Sequence, residues 1–194
     1  MMTQPCPEFL HAQRIPEKTA IFWSGRSISW VALNNYVHST SRYLKEISVK
    51  KNDRVILVAE ASAAYYIAVL ALWRIGAWVC EAKDTVDVDV EAVHVALKPH
   101  AVICHRSLRK VWARGVRFAD IEHIVAYGYN DAFLGSDAAL DPKVDPGQTA
   151  VLRLESSAQG LAVKPLTHES LSSDRGSLST LLQTLLTGEP LVIS

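Results

Sequence analysis

The chain has 194 residues, enough for one compact domain with a real core or for part of a larger one. Its 20 Lys and Arg balance its 20 Asp and Glu, and 49% of its residues are apolar. That composition is ordinary for a globular protein and gives no electrostatic reason to expect nucleic acid or an anionic membrane as partner.

The opening residues lack the basic start and apolar stretch of a secretory signal, and no apolar run reaches the roughly 20 residues that span a bilayer. Cys6, Cys80 and Cys104 are odd in number and far apart, which fits reduced thiols in a cytoplasmic protein better than a disulfide framework.

In chain order, Ala20–Trp23 is β-prone, Ser24–Arg26 has turn chemistry and Ser27–Ser29 resumes extension. Ser29 can cap a helix whose buried stripe is Leu33, Tyr36, Val37, Thr40, Leu44 and Ile47, with Asn34, Asn35, Ser41 and Lys45 on the other side. After the polar turn at Lys50–Asp53, Arg54–Ala59 is an apolar run without alternation, which suits a strand covered on both faces. Ser62 is the cap for a helix over Ala63–Ile75, apolar almost all round, and Gly76 stands where a left-handed C-terminal cap is wanted.

Ala77–Ala82 is the next strand, Val90–Leu97 a helix stopped near Pro99, and Ala101–Cys104 a strand. A helix over Ser107–Ala113 and a strand over His123–Tyr127 follow. Gly128–Gly147, rich in Asp, Gly and Pro, reads as a long surface connection. Ala150–Leu154 is a further strand, the sequence beyond Gly160 is Ser/Thr-rich, and Leu178–Leu186 is helical. Strands alternating with helices predict a layered α/β fold, with a mainly parallel sheet flanked by helices.

Pro16–Ile21, Gly25–Trp30 with Leu33, Val49–Val55 (VKKNDRV) and Ala68–Ala77 (AVLALWRIGA) are together similar to the opening of adenylate-forming, AMP-producing acyl- and aryl-CoA ligases. Order and spacing over Pro16–Ala82 carry the resemblance, since each piece is weak alone. It implies that residues 1–194 are one partial domain, the N-terminal portion of a larger ligase domain. It also implies ATP and magnesium as cofactors, and a carboxylic acid and coenzyme A as partners. Leu72–Ala77 further resembles 2-succinylbenzoate–CoA ligases of menaquinone synthesis, with nonribosomal-peptide adenylation domains and fatty-acyl-CoA ligases as close rivals.

The family's phosphate-binding loop is rich in Ser, Thr and Gly, follows a strand and ends in Lys-Gly, often with Thr-His beyond. Backbone N–H groups, hydroxyls and the lysine embrace the ATP phosphates there. By position the resemblance implies Ser156, Ser157, Gly160, Lys164, Thr167 and His168 as the nucleotide-contacting residues. The departures are substantial. Glu155 puts a carboxylate beside the phosphate position, Ala158 and Gln159 replace small or hydroxylated residues, and Lys164-Pro165 reverses the usual order. The strand exit at Cys80–Asp84 lacks the family's proline.

The family's adenine-binding segment, magnesium-binding glutamate, ribose-binding aspartate and late catalytic lysine have no counterpart among these residues. Two readings therefore stand side by side. One is the N-terminal part of a ligase, inactive alone; the other is a non-catalytic remnant or interaction module that keeps the fold. Either leaves apolar surface exposed and self-association expected.

Other constellations favour packing over chemistry. His94, His100, Cys104 and His105 lack the tight paired spacing of a zinc site. Adjacent residues on a strand point to opposite faces, so Cys104-His105 is a poor nucleophile–base pair. His168 is open between a ligand contact and a histidine at a helix start. The five tryptophans, Trp23, Trp30, Trp73, Trp78 and Trp112, read as core or half-buried aromatics, and Asp87, Asp89 and Glu91 as a solvated helix start.

Overall fold

The computed structural model describes residues 4–82, 89–124, 143–157, 160–171 and 177–193. Lys83, Asp84, Asp87 and most of the 128–147 connection therefore lie outside the described residues.

A six-stranded sheet organises the molecule. Its strands are β4 (Arg54–Val58), β5 (Trp78–Ala82), β6 (Ala101–Cys104), β7 (Arg117–Asp120), β9 (Thr149–Ser157) and β10 (Gly160–Thr167), in the order β10-β9-β5-β4-β6-β7. All neighbours are parallel except the edge pair β9–β10. Three smaller strands, β2 (Thr19–Trp23), β3 (Arg26–Ser29) and β11 (Leu191–Ile193), form a second sheet in the order β11-β2-β3, and β1 (Gln4–Pro5) pairs with β8 (Lys143–Val144).

The unalternating sequence of β4 has its expected meaning. Val55 and Leu57 enter one hydrophobic cluster, Ile56 and Val58 the other, and all four are essentially unexposed. A central strand needs both faces apolar because helices cover both sides of a parallel sheet. On the first side α2 (Trp30–Glu46) packs on α3 (Ala63–Ile75). The second cluster takes Val93 and Leu97 from α4 (Val90–Leu97) and Trp112 from α5 (Arg109–Trp112).

Caps fall where the residue chemistry requires them. Ser29 accepts from the Ala32 N–H, Ser62 from Tyr65 and Asp89 from Ala92. Gly76 closes α3 at φ +83°, and its carbonyl accepts from Gln148 Nε2 at 2.7 Å. A Cβ at Gly76 would meet that amide nitrogen at 2.8 Å and Lys51 Cγ at 3.1 Å. Gly76→Ala therefore strains the backbone and displaces Gln148 together; a loss of about 1–3 kcal/mol in urea denaturation is expected, with the urea m-value unchanged.

Several expectations need correction. Of the strand expected at His123–Tyr127, His123 and Ile124 are helical and residues 125–127 lie outside the described residues; the strand before them is β7. Ile121 and Ile124 are both buried, three residues apart, which is a helical period rather than a strand's. The Ser/Thr-rich stretch beyond Gly160 is strand β10, where Leu161 and Val163 alternate with Ala162 and Lys164 and pack on the second cluster.

Ser41 and Asn34 do not sit on a solvent side of α2. Ser41 is buried and its hydroxyl donates to the Val37 and Ala71 carbonyls; Asn34 accepts from Arg74. Trp23 is 36% exposed on the small sheet, unlike fully buried Trp30 and Trp112. Phe22 and Val192 are exposed as paired neighbours on the same sheet.

Candidate functional site

Thr149–Ser157 and Gly160–Thr167 pair as an antiparallel hairpin at the edge of the main sheet. Ser157 pairs with Gly160 and Ser156 with Leu161, so the backbone of Ser156, Ser157 and Gly160 belongs to the strand ladder. Ala158 and Gln159 lie between them, outside the described residues. Val79 of β5 pairs in parallel with Val151, which sets the tip of the hairpin at the carboxyl ends of the parallel strands. Open α/β sheets bind their ligands along that edge. The Tyr65 hydroxyl donates to Glu81 on the same edge.

Lys164 is directly opposite Arg153 and diagonal to Glu155, whose own partner is Ala162. Its ammonium lies 3.6 Å from Glu155 Oε1, with both side chains about half exposed. Such a surface pair contributes little to stability, but it sets a carboxylate in competition with any anion for Lys164. Arg153 is the cation that sequence reasoning missed. It sits inside the strand, and only the hairpin register reveals it as Lys164's neighbour.

Thr167 and His168 lie at the other end of β10. Thr167 pairs with Thr149, the first residue of β9, about eight strand residues or roughly 27 Å from the hairpin tip. Thr167 caps α6 (His168–Leu171): its hydroxyl accepts from the Ser170 N–H at 3.1 Å while Ser170 Oγ accepts from the Thr167 N–H at 2.8 Å. The structure therefore brings Ser156, Ser157, Gly160 and Lys164 onto one hairpin and separates Thr167 and His168 from its tip.

His168 meets Trp73 edge-on, ring centroids 4.9 Å apart, while the Trp73 indole N–H donates to the Ala150 carbonyl. Burial drives its pKa down to about 4, with Asp145 opposing. The ring borders a pocket of about 380 Å³ between α1 (Pro7–Arg14), α3, α6 and α7 (Ser177–Thr187). Arg74 and Glu8, side chains 8% and 3% exposed, pair across this pocket at 2.6 Å, and Arg74 also donates to Asn34 Oδ1 at 2.9 Å. Burial, then Glu8, pushes the neighbouring Cys6 thiol up, so it stays protonated. No spacing in the sequence signals the Glu8–Arg74 contact, which joins residues 66 positions apart.

His94, His100 and His105 each have a structural partner. His94 Nε2 meets the Trp112 carbonyl at 2.8 Å, His100 Nδ1 accepts from the Arg54 N–H, and His105 Nδ1 lies 2.6 Å from Ser107 Oγ. Cys6, Cys80 and Cys104 are free and buried. No described helix is long and apolar enough to cross a membrane.

The whole chain superposes on solved adenylate-forming architecture. VinN matches at 16% identity and TM-score 0.83, over 100% of this chain and 60% of that one. The Klebsiella oxytoca NpsA N-terminal subdomain matches at 17% and 0.82, over 100% and 56%. Bacillus subtilis O-succinylbenzoate coenzyme A synthetase (MenE), in complex with ATP and magnesium ion, matches at 16% and 0.79, over 100% and 58%.

This is an α/β domain of the kind found at the N-terminus of such proteins, with the edge hairpin included. The chain belongs to the AMP-binding enzyme family, whose profile matches residues 9–145. It spans 56–60% of the length of these three structures. The profile match stops before β9, so the hairpin is linked to the family by fold and not by that match. No curated protein matches the chain by sequence.

Proposed function

We propose that the chain supplies the N-terminal, phosphate-facing portion of an ATP-dependent, AMP-forming acyl- or aryl-CoA ligase and has no ligase turnover by itself. The observation that carries this reading is the β9–β10 hairpin, which sets Lys164 and Arg153 side by side near the carboxyl edge of the parallel sheet. In the reaction, the carboxylate of an acyl or aryl acid attacks the α-phosphate of ATP, releasing pyrophosphate. The thiol of coenzyme A then displaces AMP from the acyl-adenylate.

The contribution of this chain is electrostatic: cations hold the charge on the phosphates. Among the described residues no three His, Cys, Asp or Glu side chains cluster to hold a metal. The fold of MenE makes 2-succinylbenzoate the first acid to test.

A second reading, a non-catalytic remnant that keeps the fold, is favoured by one observation: Glu155 already occupies Lys164. Calorimetric titration of ATP separates the two. Glu155→Thr releases Lys164 and removes a carboxylate worth on the order of 1 kcal/mol of repulsion at a solvated site, a several-fold gain in affinity. Lys164→Ala weakens binding by a similar factor. If neither substitution changes ATP affinity, or no variant binds at millimolar ATP, the ligase reading loses its site and the remnant reading stands.

A further inference from the structure

The pocket beside His168 plays no part in the phosphate reading, because it lies at the opposite end of the hairpin from the tip. Its volume, about 380 Å³, suits a small organic molecule. Its walls are mostly apolar: Leu70 and Trp73 from α3, Pro146 before β9, and Leu182, Leu185 and Leu186 from α7. Into this apolar shell project a few polar groups, the buried Glu8–Arg74 pair and the His168 ring.

We propose that this pocket is a second small-molecule site, taking a neutral aromatic molecule that carries one O–H or N–H donor. Neutrality follows from the charge already present. Glu8 compensates Arg74, so an added ligand charge would be desolvated with nothing opposite it.

The donor follows from the acceptor on offer. Both guanidinium bonds fall on Glu8 Oε1, at 2.6 and 3.3 Å, and Oε2 is the oxygen that a ligand hydroxyl or amine would use. The aromatic ring follows from the partners. Trp73 and neutral His168 meet edge-on, and a third ring between Trp73 and the leucines of α7 adds edge-to-face contact to apolar burial.

The test uses the 194-residue chain and two probes that share a 4-methylphenyl ring and differ in charge, 4-methylphenol and 4-methylbenzoate, titrated calorimetrically at pH 7.5. The phenol is expected to bind saturably at about millimolar concentration, as eight heavy atoms allow, and the benzoate at least about tenfold more weakly. Leu186, 62% exposed, and Gln4, also exposed, both line the pocket, so Leu186→Trp and Gln4→Trp should obstruct entry without touching the core.

Each variant is expected to lose at least about tenfold in phenol affinity at an unchanged melting temperature. The second variant decides if the first melts early. Equal affinity for the two probes overturns the assignment. So does the absence of saturable phenol binding, or full binding by a normally folded Trp variant.

Discussion

Replacing Glu8 with alanine lowers the stability of this chain by about 3–5 kcal/mol, a large fraction of what a domain of this size possesses. Arg74 is 8% exposed and sits on α3, the most deeply packed helix. Without Glu8 its charge stays buried with no carboxylate opposite it, and Asn34 Oδ1 is a neutral acceptor. Losing one partner costs far more than losing both, because the orphaned charge has given up its water. Glu8→Leu combined with Arg74→Met should accordingly recover most of the loss, short of full recovery because Asn34 also loses its donor. Urea denaturation of the single and double variants checks both statements. A single-variant loss under about 1 kcal/mol would show that the pair is solvated and does not fasten α1 to α3.

Acid weakens the fold through His168. Its folded pKa of about 4 lies below the ordinary histidine value of 6.5. At any pH between the two, the unfolded chain carries a proton on this ring that the folded chain does not. Unfolding takes up that proton, so stability rises with pH across the window and is lost as pH falls from about 6.5 to about 4. The contribution is complete above 6.5, and no further loss from this group occurs below 4. Its full size is about 3 kcal/mol. His168→Phe keeps a ring against Trp73 and removes the titration. The wild-type-minus-variant difference in urea stability should therefore slope across pH 4–6.5 and be flat above it. A difference independent of pH would mean that water reaches the imidazole.

The small sheet bears on solution behaviour. Phe22, Trp23 and Val192 are 43%, 36% and 67% exposed, and Phe22 pairs directly with Val192. Phe22 and Val192 therefore share one face of the sheet and Trp23 lies on the other; the expectation of self-association itself rests on the packing partners that a larger ligase domain would supply.

Local chemistry by itself determined much of this fold. Ser29, Ser62 and Asp89 cap their helices because their side-chain oxygens reach N–H groups a turn ahead, an interaction within four residues. Gly76 ends α3 because only a residue without a Cβ takes φ +83° cheaply. The unalternating run of β4 implied helices on both faces of the sheet, and the order of motifs over Pro16–Ala82 was enough to indicate the family.

Other features depended on which segments meet. β10 was hidden because its alternating pattern is broken by Pro165 and flanked by Ser and Thr; as the edge strand it tolerates a proline that a central strand would not. The pairing of Arg153 with Lys164 depends on hairpin register, and a shift of one residue would have put them on opposite faces. The pocket, the Glu8–Arg74 pair and the depressed pKa of His168 need α1, α3, α6 and α7 packed together. Burial and long-range pairing are properties of that packing, and no local propensity encodes them.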